Sequence, residues 1–381
     1  MTSRNNGYAA RLIAAALATA LLALAGCTGD TKQAKEEPTD LVWPVPPEQP
    51  RIKYIRSISS PDDIGAKDEV SLADVLLGSG EKKSVAQLRK PYAVHADKDG
   101  RVFVADTGWG AVLVFDAAER KFSIFGSTGP GALAQPLGVT SDSQGRIYVS
   151  DGMQKRVVVF DRDGQFVSAM GRKGELERPA GIVVNESLGR IYVADVARHQ
   201  ISVFDMSGNL VSTIGERGGN PGQFNYMTNL AIGRDGKLYV MDTMNFRVQI
   251  LDPDGKPIKA FGKVGDRPGQ FARPKGIAVD SDGHIYAVDA AFNNFQIFDA
   301  DGNLLLFVGK VGTGPGQFWL PAGAYMDAQD RLYVADQYNH RISVFQYLGG
   351  PDVPLPAPGE ETAAPEQAPS AEETPTEPPA Q

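Results

Sequence analysis

The chain has 381 residues, 42% of them apolar, which is enough for a large core, with a net charge of −8 and a pI of about 5.2. That balance carries no basic footprint and argues against nucleic acid as a partner. Its 42 glycines and 26 prolines imply many turns, and its single cysteine excludes an internal disulfide.

In chain order, Arg4 and Arg11 precede the apolar run LIAAALATALLALAG, which ends at Cys27. The run is shorter than the ~20 residues a membrane span needs, and its charged start fits a secretory signal over residues 1–26. The ending Leu24-Ala25-Gly26-Cys27 resembles the bacterial lipobox. The resemblance implies lipidation of Cys27. With Thr28 next, it also implies a membrane partner and an outer-membrane location in the bacterial envelope, facing the periplasm. Residues 27–50 are polar and Pro-rich and read as a flexible tether. RIKYIRSIS (51–59) reads as a strand without a repeat unit of its own. Residues 60–90 read as an insertion holding a short helix, SLADVLLG, with Ser71 as N-cap and Leu72, Val75 and Leu76 on one face.

From there a unit recurs: VFVADTGWGAVLVF (102–115), IYVSDGMQKRVVVF (147–160), IYVADVARHQISVF (191–204), LYVMDTMNFRVQIL (238–251), IYAVDAAFNNFQIF (285–298) and LYVADQYNHRISVF (332–345). Its aspartates, Asp106, Asp151, Asp195, Asp242, Asp289 and Asp336, lie 45, 44, 47, 47 and 47 residues apart. Each unit offers four short strands separated by turn signals such as DSDG (280–283) and DADG (299–302). The expected fold is all-β: a six-bladed β-propeller of four-stranded antiparallel blades. The sixth unit stops after RISVFQYL, so the 51–59 strand is expected to complete the last blade from outside and close the ring, leaving no long open edge. An aromatic stands three residues before each aspartate (Phe103, Tyr148, Tyr192, Tyr239, Tyr286, Tyr333), as blades packed on both faces require. After residue 348 the Pro/Glu/Ala-rich stretch 349–381 carries Asp352, Glu360, Glu361, Glu366, Glu372, Glu373 and Glu377 and no lysine or arginine. It has too little apolar surface to order itself, and it accounts for most of the net negative charge.

Over residues 88–348 the pattern resembles the NHL-repeat family. Proline opens five of the six inner strands (Pro91, Pro136, Pro179, Pro274, Pro321), glycine follows two later in four (Gly138, Gly181, Gly276, Gly323), and GDRPGQF-like links join the units. Met227 and Asn229 in the fourth unit and Ala93 in the first depart from it. The resemblance implies a propeller but no single activity, because such propellers include enzymes, RNA binders and protein-interaction modules.

The aspartate column recurs in every unit, so its reading is loop-fixing rather than catalytic. The four histidines do not form a metal set. His284 falls in a DSDG turn. His199 and His340 occupy the same loop position in opposite blades, ~20 Å apart by strand spacing, and only His95 lies on an inner strand. No cofactor is expected, although loop carboxylates leave a channel calcium or zinc open. The loops after the aspartates vary from blade to blade, and variation on a repeated scaffold is where recognition resides. The candidate binding face comprises Trp109, Met153, Arg198, His199, Met244, Phe246, Phe292, Asn293, Tyr338 and His340, with Gln154, Asn245 and Asn339 beside them. The expected function is a lipid-anchored binding or scaffold module for a protein, peptide or cell-wall glycan. The alternative is a lyase- or lactonase-like propeller enzyme acting in the central channel.

Overall fold

The computed structural model describes residues 41–66 and 86–349. The expected signal peptide, Cys27, the helix expected over 71–78 and the acidic stretch from 350 on lie outside the described residues.

Five sheets have four antiparallel strands and the sixth has five. Blade one runs Pro91–Ala96, Val102–Asp106, Ala111–Asp116 and Lys121–Phe125. In each blade the two middle strands are buried on both faces, as in Ile147–Asp151, whereas the outermost strands, such as Phe166–Met170, are largely exposed. That gradient follows from blades stacking face to face, so the middle strands read as continuous apolar runs and not as alternating ones. The tyrosine column also makes polar contacts. The hydroxyls of Tyr148, Tyr286 and Tyr333 donate to Asp142 (2.9 Å), Asp280 (3.0 Å) and Asp327 (3.1 Å) in the hairpin turns on the face opposite the repeated aspartates. Each of these turn aspartates also accepts N–H groups of its own turn. These aspartates are thus spent on fixing their turns.

The ring closes as the missing fourth strand implied. Ile52–Ile58 pairs antiparallel with Arg341–Tyr347, with Ile52 opposite Tyr347 and Ile58 opposite Ile342. Val42–Trp43, within the stretch expected to be tether, adds a fifth strand on the outside of Ile52–Ile58. Pro61–Ile64 is a 3-10 helix beside blade one, in the segment read as an insertion. The proline-x-glycine column has a steric cause. A Cβ on Gly138 would stand 2.3 Å from the Ala180 carbonyl of blade three, and one on Gly323 would stand 2.7 Å from the Tyr92 carbonyl of blade one. Inner strands crowd around the axis, and glycine lets their backbones approach.

Candidate functional site

The six repeated aspartates are fully buried. Each carboxylate joins two segments of its own blade. Asp106 accepts the N–H of Arg89 (2.7 Å) and Lys90 (2.9 Å) ahead of the inner strand, and the N–H of Gly108 (2.8 Å) in the following loop. Asp151 holds Ala134, Gln135, Met153 and Gln154 in the same way. Asp195 holds Glu177 and Arg178, and Asp289 holds Ala272, Arg273 and Ala291. Asp242 and Asp336 each accept one upstream N–H and then bond Asn245 and Arg247, or Asn339 and Arg341. Opposite N–H groups come from residues 16 to 18 positions upstream, so one carboxylate sets both edges of the channel mouth.

Many of the loop-face candidates turn out to be committed to the scaffold. His199, Phe246, Asn293 and His340 occupy one column with φ of 57°, 54°, 55° and 54°. That left-handed position ends the loop, and Asn and His tolerate it better than most residues. From it three side chains clip one blade to the next. His199 Nδ1 accepts the Tyr226 N–H (3.2 Å), Asn293 Oδ1 accepts the Leu320 N–H (2.8 Å), and His340 Nδ1 bonds the Arg89 carbonyl across the closure. Phe246 packs into the core between blades four and five. Trp109 donates its indole N–H to the Gln87 carbonyl (2.8 Å) beneath the Arg89 guanidinium, which stacks 3.5 Å from its ring centre. Arg198 donates to the Gly174 and Glu175 carbonyls. Phe292 is half-buried, its N–H on Asp289. Met153 (66% exposed), Met244 (49%) and Tyr338 (44%) remain free at the surface, joined by Tyr226 (45%) and Trp319 (48%). The rings of Trp319 and Tyr338 lie 5.8 Å apart.

Inside this rim is a funnel of about 280 Å³ at the channel mouth, whose lining includes Lys90, Tyr92, Gln135, Arg178, Arg273 and Lys275. Four cations meet there and no carboxylate lines the space. None of the four forms an ion pair with another described residue. The Lys275 ammonium sits 5.4 Å from the Tyr92 ring centre. Next to it, sharing Leu137, lies a small void of about 40 Å³ among Val94, His95, Val139 and Tyr325 on the inner strands. A larger groove of about 1100 Å³ runs along the outer edge of blade one, lined by Phe122 and by charges of both signs, among them Arg120, Lys121, Arg162 and Asp163.

Sequence reasoning missed this cluster. The signal was available in the column just before the strand-opening proline, which reads Lys90, Gln135, Arg178, Arg273 and Leu320, and in Lys275 just after it. The Lys90, Arg178 and Arg273 backbones are locked at both ends. Their N–H groups donate to the repeated aspartates, and their carbonyls accept from Thr107, Val196 and Ala290. The repeated carboxylates therefore hold the cationic ring in place.

Three segments match the NHL repeat model: residues 176–204, 271–298 and 318–345, in blades three, five and six. The chain is an NHL-repeat propeller. No match was found among curated protein sequences. Among solved structures, the propeller is similar to a streptogramin B lyase (15% identity, TM-score 0.52, covering 68% of this chain and 94% of that one). It is also similar to a gluconolactonase from Xanthomonas campestris (17%, TM-score 0.54, 68% and 88%). A third similar structure is an auxiliary nutrient binding protein from Bacteroides thetaiotaomicron (11%, TM-score 0.55, 68% and 70%). At these identities the likeness is one of fold.

In the NHL propeller the channel histidine is sealed in. His95 is buried against Tyr325, with ring centres 4.4 Å apart, and its Nε2 bonds Ser141 Oγ at 2.8 Å. Burial pushes its pKa down to about 4, against a smaller pull from Asp97. His284 is tied to Asp280 in a turn (2.8 Å) on the opposite face. Among the described residues no three His, Cys, Asp or Glu side chains gather in metal-binding geometry.

Proposed function

We propose that this NHL propeller is a lipid-anchored envelope module that binds a protein, peptide or glycan partner on its repeated-aspartate face. The observation that carries the reading is the exposed apolar rim of Met153, Tyr226, Met244, Trp319 and Tyr338 around a cationic mouth. Large apolar and aromatic groups around a polar centre are the composition of recognition hot spots, where one anchor contributes on the order of 2 kcal/mol. The similar fold of a nutrient binding protein agrees with a binding role. A channel enzyme using a divalent ion would have to hold that ion below four positive charges, which repel it.

The test places a photocrosslinker at Met153 or, as a control, at Asp282 in the opposite-face turn. The expected result is a discrete adduct from Met153 alone, weakened about tenfold or more by Trp319→Ser with Tyr338→Ser and with an unchanged melting temperature. Equal adducts from both faces would sink the assignment. The anchor rests on the apolar leader and Cys27. Cys27→Ala is expected to move the protein from the membrane pellet to the soluble fraction, since acyl chains contribute ~0.8 kcal/mol per buried methylene. Persistence in the pellet would remove the lipid from the reading.

A further inference from the structure

The cationic funnel holds charge that the fold does not neutralise. Lys90, Arg178, Arg273 and Lys275 converge from blades one, three and five, and no carboxylate lines the space. Like charges gathered in a partly dry site repel. Burial, with Arg273, Lys90 and Arg178 nearby, accordingly pushes the Lys275 ammonium down to about 8. Tyr92 is also half-buried there. Burial raises its pKa against the pull of Arg178 and Arg273, so it stays a protonated donor. Gln135, Thr107 and the buried Gln337 add polar groups to the lining. A propeller needs none of these cations: the equivalent pre-proline position in blade six is Leu320.

The ligand class follows from charge, shape and size. Guanidinium forks match planar carboxylates in pairs of parallel hydrogen bonds. A single carboxylate would leave the mouth strongly positive, so balance needs two or more on one ligand. The volume of about 280 Å³ falls just below the roughly 300–1,000 Å³ of pockets that enclose whole drug-sized ligands. It suits a small polyacid or the acidic side chains of an inserted segment.

We infer that the channel mouth is a binding site for clustered carboxylates, held by Lys90, Arg178, Arg273 and Lys275. This deepens the binding reading, placing the recognised group at the centre of the same face. Two sources share the chemistry: a free di- or tricarboxylate, or the paired glutamates Glu360-Glu361 and Glu372-Glu373 of the chain itself.

Calorimetric titration of the full chain with citrate and with acetate, at pH 7 and low salt, tests the site. Citrate is expected to bind stoichiometrically and raise the melting temperature, while acetate at equal concentration does neither. Citrate affinity falls as pH rises past about 8, where Lys275 loses its proton. R178Q/R273Q weakens citrate about tenfold or more, yet melts at or above the temperature of the unaltered chain because repulsion is relieved. A full chain with all four paired glutamates changed to Gln separates the sources. Tighter citrate binding than in the unaltered chain identifies those glutamates as the resident occupant, and equal binding identifies a free polyacid; either keeps the site. Citrate binding no better than acetate, or undiminished in R178Q/R273Q, overturns it. The crosslinking test leaves Lys90, Arg178, Arg273 and Lys275 in place, so the two readings fail separately.

Discussion

A chain lacking residues 41–59 is expected to lose cooperative unfolding altogether, and a peptide spanning 41–60 is expected to restore it. The strand Ile52–Ile58 inserts Ile52, Tyr54 and Ile58 into the interfaces of blade six with blades five and one, where each is buried. At ~1.5–3 kcal/mol per buried large apolar side chain, these three alone approach the ~5–15 kcal/mol that holds a whole domain together. The deletion also strips Phe345 of its edge contacts with Tyr54 (5.5 Å) and Trp43 (6.0 Å). It leaves the long strand Arg341–Tyr347 with an open edge, which invites pairing between chains. Scanning calorimetry checks this. A single sharp transition within a few degrees of the unaltered chain would show that six blades close without that strand.

The ring closure was legible because a repeat lets one unit be read against five others. A fourth strand absent at the C-terminal end and a strand without a unit at the N-terminal end complete one another. The aspartate column was legible for the same reason: a residue present in every blade answers to the fold. Two things were not legible. The left-handed backbone at His199, Asn293 and His340 shows in sequence only as a polar residue closing a loop, and so do three clips between blades. The same three residues, read as varied loop tips, look like recognition. The charge cluster was hidden by distance along the chain. Lys90, Arg178 and Arg273 are far apart in sequence, each just ahead of a strand-opening proline. Net charge averages them away, and only the circular arrangement of inner strands brings them to one axis.

The same reasoning gives the largest expected effect of a single substitution, in blade six. Asp336 accepts from the Trp319 N–H (2.8 Å), Asn339 Nδ2 (2.8 Å) and Arg341 Nε (2.9 Å). Arg341 then donates to the Thr313 (2.8 Å), Gly314 (2.8 Å) and Gln317 (2.7 Å) carbonyls, fixing the link from blade five. Asp336→Ala leaves a buried guanidinium without its counter-charge and an N–H without an acceptor. The expected loss is about 3–5 kcal/mol, read as a lower urea midpoint with unchanged slope. Asp336→Ala with Arg341→Met is expected to recover part of it, because the double change removes the unpaired buried charge and leaves only neutral groups, the Trp319 N–H and the Thr313, Gly314 and Gln317 carbonyls, without these partners. A double variant no more stable than Asp336→Ala would mean that the guanidinium stabilises the link chiefly through the three carbonyls. Acid does not mimic the substitution. Burial raises the Asp336 pKa, against the opposing pull of the Trp319 N–H, Asn339 and Arg341. Between the ordinary carboxylate value and the raised one, the folded state holds a proton that the unfolded state has released. The contribution of Asp336 therefore falls as pH rises through that window, so the loss on Asp336→Ala is expected to be larger below the window than at neutral pH.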